Sequence, residues 1–306
     1  MANLSCSLGK LKLTNPVMTA SGTFGYGFEY KDYFPLDKLG AVVVKGIAPF
    51  PSHGNPTPRV AEVTGGMLNA IGLQGPGVDK FLHGEEYMPY LRTANVPVVV
   101  NIWGKTIEDY VEVARRLDAE PAGIDALEIN ISCPNVKEGG VAFGTDLKLA
   151  FKVVNAVRQV TSLPLMTKLS PNVTKVGDFA KVVVDAGSDM ISLINTLPGM
   201  AIDINTRKPK IANLTGGLSG PAIKPIAIRM VYEVAQAVSV PIIGMGGIMN
   251  SDDAIEFMLA GASAVAVGTA IFVDPYAPIK IIEGINEYLE RNNIANVSDI
   301  VGQIII

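Results

Sequence analysis

PVVVNIWGKTIEDYVEVARRL, residues 97–117, decides the fold. Val98, Val99 and Val100 form an apolar, β-branched run without alternation, as expected of a parallel strand buried on both faces. Thr106 then offers an N-cap, and Glu108 and Asp109 place acidic groups in the first turn of a helix running to Leu117. A buried strand followed by an amphipathic helix is one β/α unit. Seven more apolar runs of the same kind follow the chain, at 16–20, 41–45, 126–131, 163–169, 190–195, 241–245 and 264–268. Amphipathic stretches at 147–160, 176–186, 222–238 and 252–260 lie between them, with Gly187 and Gly261 as C-cap signals. Residues 5–13 read as an N-terminal hairpin around Leu8-Gly9-Lys10. Eight strands alternating with helices predict a (β/α)8 TIM barrel. A doubly wound sheet is the alternative.

The chain has 306 residues. At about 150 residues per domain that suggests two domains, yet single α/β barrels reach this length. With no boundary or longer repeat in the sequence, one domain over 1–306 is expected. Hydrophobic residues make up 48% and charged residues 18%, enough for a large core and against disorder. Twenty-five Lys and Arg against 29 Asp and Glu give a net charge of −4, which excludes a basic nucleic-acid footprint and a polybasic membrane patch. MANLSCSLGKLKL at the start lacks the pattern of a secretory leader, and no run of 18 apolar residues occurs, so a cytoplasmic location is expected. Cys6 and Cys133 imply no disulfide framework. With His53 and His83, they also lack the ligand count and spacing for an iron–sulfur cluster or a zinc site.

Two connections are too long for plain β/α loops. One runs from Gly46 towards Leu91 and holds PFPSHGNPTPRVAEVTGGMLNAIGLQGPG; the other runs from Thr196 to Ala222 and holds IDINTRKPKIANLTGGLSGP. They follow the second and sixth strands, so in a barrel both emerge on the face that carries active sites, and both are expected to cap a site there.

The strand ends carry the functional signal. Ser21-Gly22, Lys45-Gly46, Asn101, Asn130, Lys168, Asn195, Gly246-Gly247 and Gly268-Thr269 end runs that are otherwise apolar. Amides and ammonium groups at such positions need partners, and together they suit a large ligand with many donors and acceptors. GMGGI (244–248) and GTAIF (268–272) follow strands seven and eight, where this fold often holds phosphate, although tight turns alone would also ask for glycine. Met249 stands where a GxGxxG fingerprint needs its last glycine. A lysine is ordinarily a solvated surface group. Lys45 and Lys168 end VVVK and LMTK, which leaves Schiff-base formation or stabilisation of ligand charge. Cys133 follows the fourth strand. A lone cysteine is most often a small buried hydrophobe, but Pro134 and the hinge-capable KEGG beyond it favour a functional thiol. With no histidine partner evident, general base is the better role.

These residues also resemble a known family. NPVMTASGTFGYG (15–27), KG (45–46), GNPTPRV (54–60), MLNAIGLQ (67–74), NISCPN (130–135), GGVAFG (139–144), KLSPNV (168–173), NT (195–196), GGLSG (216–220), GMGGI and GTAIF resemble dihydroorotate dehydrogenase, in order and over nearly the whole chain. ASGTFGYG and GGVAFG are similar to the NAD-linked class 1B catalytic subunit rather than the fumarate-linked class 1A type. Cys133 in place of serine separates the chain from the membrane-bound class.

The resemblance implies oxidation of dihydroorotate to orotate in de novo pyrimidine biosynthesis, with one FMN per chain. FMN phosphate would lie on Gly246, Gly247, Gly268 and Thr269. The rest of FMN would touch Ser21, Lys45, Gly46, Asn101, Asn130, Lys168, Ile194 and Gly220. Substrate would be held by Lys45, Asn69, the backbone of Ala70, Ile71, Gly72 and Leu73, and by Asn130, Asn195 and Thr196. Cys133 would remove the C5 proton while C6 gives hydride to the flavin, under a loop that closes as far as Gly144. Electrons would pass to a partner subunit carrying FAD and a [2Fe–2S] cluster and on to NAD+, in a heterotetramer of two chains of each kind. A fumarate-linked homodimer, a barrel lyase or aldolase using Lys45 or Lys168 as Schiff base, and a non-catalytic flavin or nucleotide binder are the rival expectations.

Overall fold

Eight parallel strands stand where the apolar runs predict them: Val17–Thr19, Val42–Ile47, Val98–Ile102, Ala126–Asn130, Leu165–Lys168, Met190–Leu193, Ile242–Met245 and Ala264–Val267. The computed structural model describes residues 2–132 and 143–305. Each strand pairs with the next in the sequence, from the second round to the eighth, and the eighth pairs with the first. A parallel bridge between Met18 and Ala41 joins the first strand to the second, and the Thr19 N–H donates to the Ala41 carbonyl at 3.3 Å. The ring therefore closes. A doubly wound sheet would leave two open edges, so that alternative falls.

Valine runs suit this ring because both faces of each strand are buried. Val43 and Val99 point inwards with Met166, Met190 and Ile243, while Val42, Val44, Val98 and Val100 point outwards into the layer shared with the helices. The hairpin Cys6–Leu8 and Leu11–Leu13 is present, paired Cys6 to Leu13. Its Leu8, Leu11 and Leu13 pack against the interior residues Ala41 and Ala126, at the starts of their strands, and so floor the barrel. Burial pushes the Cys6 thiol up to about 12, which makes it unreactive at neutral pH.

Helices fill the outer layer at Ile107–Ala119, Leu147–Arg158, Val176–Asp185, Lys224–Ala235 and Ser251–Leu259. The N-cap read at Thr106 forms a capping box. Its hydroxyl accepts from the Asp109 N–H at 3.2 Å, and Asp109 accepts from the Thr106 N–H at 3.1 Å. Such a cap contributes about 1 kcal/mol. A further helix, Ala277–Arg291, was not among the predicted elements, because no strand follows it to mark a β/α unit. It buries Ile281, Ile285 and Leu289, one turn apart, against the barrel.

The two long connections are more than loops. Val60–Val63, Gly66–Asn69, Leu197–Gly199 and Gly216–Ser219 form one antiparallel sheet, in which Leu68 opposes Leu218. The strands escaped the sequence reading because glycines interrupt them. Those glycines allow close backbone approach: a Cβ on Gly66 would collide with the Ser219 carbonyl oxygen, and one on Gly216 would lie 2.6 Å from that of Asn69. Among the described residues, no helix is long and apolar enough to cross a membrane, and no group of three His, Cys, Asp or Glu side chains is arranged to hold a metal.

Candidate active site

Beneath the small sheet, at the carboxyl ends of the barrel strands, lies a cavity. Each strand end read as a candidate lines it: Ser21, Gly22, Lys45, Gly46, Asn101, Asn130, Lys168, Asn195, Gly246, Gly247, Gly268 and Thr269. Ile194, Thr196 and Gly220 line it too, and the capping sheet and its following turn add Asn69, Ile71, Gly72 and Leu73. Ala70 is fully buried, packs with Leu68 and Ile211, and is not among the residues that line the cavity. Cys133 and the segment expected to close over the site lie outside the described residues. On either side of that segment, Ser132 is buried at the rim and a Cβ on Gly144 would lie 2.6 Å from the Ile131 carbonyl oxygen.

The sequence reading missed several lining residues, notably Thr23, Gln74 and Ser219. Thr23 and Ser219 sit inside quoted motifs, and Ser219 accepts a hydrogen bond from Thr269 at 2.8 Å. It also missed Glu128, a carboxylate on an inward-facing strand position two residues before Asn130. Period-two alternation alone marks it as a buried charge that needs donors.

Strand pairing explains why the polar groups converge. Asn130 stands opposite Lys168 across the fourth and fifth strands, and Asn101 stands opposite Glu128 across the third and fourth. Asn101 donates to Glu128 at 2.5 Å and Ser192 donates to it at 2.7 Å, so the buried carboxylate is satisfied at both oxygens. The Tyr110 hydroxyl, fully buried beneath a helix, donates to the Asn130 carbonyl at 2.8 Å and steadies the strand end. Lys45 has its pKa lowered by burial first and by the nearby Arg59 guanidinium second, with Glu29 opposing. Lys168 is buried, and its ammonium has no ion-pair or hydrogen-bond partner among the described residues. A buried ammonium in that state calls for an electron-rich ligand.

The glycine clusters fit an anion by their backbone. Gly246 and Gly247 adopt φ of 122° and 84°, a region that side chains other than glycine rarely enter. A Cβ on Gly22 would meet nothing within 4 Å, and one on Gly268 would meet nothing nearer than 3.5 Å, so side chains there would take up room in the cavity. Beside the first cluster, the start of the helix Ser251–Leu259 is capped from within the chain. Asp253 accepts from the N–H groups of Met249 and Asn250 at 2.8 and 3.2 Å, and Asn250 accepts from that of Asp253 at 3.0 Å, which closes the helix start internally. The helix after the eighth strand has only four residues, Ala270–Val273. A buried ammonium without a partner among the described residues, a bare glycine edge and three rim amides fit an anionic ligand that offers both donors and acceptors.

Comparison with known proteins identifies the family. The family model described as dihydroorotate dehydrogenase matches residues 3–289. A protein of Geotalea uraniireducens named dihydroorotate dehydrogenase B (NAD(+)), catalytic subunit, is 59% identical over 99% of this chain and 98% of its own length. One of Alkaliphilus metalliredigens with the same name is 58% identical over 99% of each. Among solved structures, dihydroorotate dehydrogenase of Eimeria tenella in complex with ferulenol superposes with a TM-score of 0.80. It is 26% identical and covers 98% of this chain and 88% of its own.

Proposed function

The chain belongs to the dihydroorotate dehydrogenase family, and on that premise we propose how its rim performs the chemistry. It is an oxidoreductase that converts dihydroorotate to orotate in pyrimidine biosynthesis, uses a flavin, and works with a partner subunit in an NAD-linked reaction. The observation that carries the finer reading is the gathering of two lysines, the rim amides and both glycine clusters around one cavity.

The flavin is FMN, one per chain. Gly246, Gly247, Gly268 and Thr269 would hold its phosphate, and Ser21, Gly46, Asn101, Lys168, Ile194 and Gly220 would hold the remainder, with Lys45 and Asn130 shared by flavin and substrate. Bound FMN supplies the acceptor for the hydride that leaves C6 of dihydroorotate. Lys168 offsets the negative charge that reduction brings. Lys45 pairs with the substrate carboxylate, while Asn69, Asn130, Asn195 and Thr196, with the backbone of Ile71, Gly72 and Leu73, match the alternating donors and acceptors of the pyrimidine edge. The Cys133 thiolate takes the C5 proton, and the electron pair of that C–H bond becomes the new C5–C6 double bond. The whole chain, 1–306, acts as one catalytic domain.

The family resemblance implies a partner that carries FAD and a [2Fe–2S] cluster in a heterotetramer of two chains of each kind, and the two cysteines of this chain are too few to hold such a cluster themselves. A cytoplasmic location belongs to the same proposal, since NAD+ is a soluble acceptor. The test is to copurify this chain with its partner and follow NAD+ reduction. Dihydroorotate should drive it in the complex and not in the isolated chain. Reduction of fumarate by the isolated chain at a comparable rate would overturn the NAD-linked reading.

Lys45 makes a pH prediction. Its lowered pKa means that the ammonium loses its proton, as pH rises, before an ordinary lysine near 10.4 would. Anionic orotate binds the charged form, so affinity should fall with rising pH at a midpoint below that value. Calorimetric titration across alkaline pH checks it. Lys45→Ala should bind weakly at every pH, and a persisting alkaline midpoint in that variant would reassign the titration.

A further inference from the structure

A pyrimidine presents donors and acceptors in fixed order, so each rim amide must face one particular way. An asparagine can turn either end to a neighbour, and a serine hydroxyl can donate or accept. A carboxylate can only accept, and a backbone N–H can only donate. The rim contains one of each, at opposite ends of a single chain of hydrogen bonds. At one end the Thr196 N–H donates to Asn195 Oδ1 at 2.7 Å, and Asn195 Nδ2 donates to Ser132 Oγ at 2.9 Å. Ser132 Oγ then donates to Asn130 Oδ1 at 3.0 Å, and Asn130 Nδ2 donates to Asn101 Oδ1 at 3.5 Å. At the other end Asn101 Nδ2 donates to Glu128 Oε2 at 2.5 Å. Every donor points towards Glu128.

The link between Asn130 and Asn101, at 3.5 Å, is the longest. The Thr196 end therefore governs Asn195 and Ser132 more firmly than Asn101. Asn101 takes its orientation from Glu128, which is 1% exposed and fixed from its other side by Ser192 at 2.7 Å. Were Asn101 to turn over, its amide nitrogen would face that of Asn130, donor against donor, and Asn130 would be driven to turn as well.

We propose that Glu128 is a positioning residue, whose buried carboxylate fixes the orientation of Asn101 and through it the face that Asn130 shows to the substrate. The inference rests on the reading of this cavity as the dihydroorotate site. Glu128 is not among the residues that line the cavity. It acts as the terminal acceptor that gives the amide chain a single direction.

The test uses the flavin-loaded protein and orotate, with binding followed by calorimetry and by the perturbation of flavin absorbance. Glu128→Met keeps the length of the side chain and removes both acceptors. Orotate should bind at least tenfold more weakly, beyond what the change in melting temperature explains. Ser192→Ala removes the other hydrogen bond of the same carboxylate and serves as the control. It should lower the melting temperature and leave orotate affinity within threefold.

If Glu128→Met does not fold, Glu128→Gln is the second variant. Its amide both donates and accepts, so the chain of hydrogen bonds loses its obligate acceptor and orotate binding should weaken by at least threefold. Wild-type affinity in either glutamate variant, or loss of affinity in Ser192→Ala equal to that in Glu128→Met, would overturn the proposal. Failure of the wild-type protein to bind orotate would instead overturn the reading of the site on which it rests.

Discussion

Cys133→Ala is expected to retain its flavin and to oxidise dihydroorotate about 100- to 10,000-fold more slowly near neutral pH, the usual contribution of one positioned general base. The role needs a group able to hold a proton reversibly near neutrality. Of the two thiols, Cys6 is excluded, because burial against the barrel floor pushes it up to about 12. His53 and His83 do not line the cavity, and Lys45 and Lys168 are needed as cations. Cys133 follows Ser132, which is buried and hydrogen-bonded to both Asn130 and Asn195. An ordinary thiol has a pKa of about 8.5, and a nearby ammonium lowers it, so the wild-type rate should rise with pH through the thiol pKa. In Cys133→Ala that limb of the profile should vanish while orotate still perturbs the flavin spectrum. In Cys133→Ser it should move to higher pH, since a hydroxyl gives up its proton less readily. Stopped-flow reduction of the flavin by dihydroorotate, from pH 6 to 10, measures all three proteins. An unchanged profile in the alanine variant would take the thiol out of the mechanism.

How much of this was legible in the sequence depended on the range of the interactions involved. Barrel strands announce themselves locally. Val42, Val43 and Val44 are buried whichever way they point, so their composition alone marks them. Strand ends are equally local, because Asn101, Asn130 and Lys168 break apolar runs at one level of the ring. The capping sheet was not legible, since its register joins Asn69 to Gly217 across 148 residues and its glycines erase the alternating pattern. Glu128 was overlooked for a related reason. Its partners Asn101 and Ser192 lie 27 and 64 residues away, and only closure of the ring turns an isolated glutamate into the end of a polar network. Within the run 70–73, Ala70 is set apart from Ile71, Gly72 and Leu73, which line the cavity. In the capping sheet Leu68 and Ala70, two residues apart, share the face that packs on Ile211, and that face is turned away from the cavity.

Lys168→Ala should leave the barrel folded and weaken its hold on flavin. The fifth strand delivers the Lys168 ammonium to the rim, and no protein acceptor or carboxylate meets it there among the described residues. Removing it therefore breaks no internal ion pair, and the melting temperature of flavin-free protein should move by only a few degrees. Bound flavin is different. A hydrogen bond to a charged group contributes about 1.5–3 kcal/mol, so its loss should weaken retention by roughly ten- to hundredfold. The effect should grow on reduction, when the cofactor gains negative charge and Lys168 has more to offset. The flavin that remains should accordingly show a more negative midpoint potential than wild type. Lysine and arginine differ here as well: Lys168→Arg keeps the charge but brings a wider, planar head into a buried strand end, so it should restore the potential better than the affinity. Flavin content after gel filtration, fluorescence titration of the apoprotein and a spectroscopic redox titration test these three statements separately. Full occupancy in Lys168→Ala would mean that the glycine edge alone holds the cofactor. An unshifted potential would mean that the ammonium lies away from the ring.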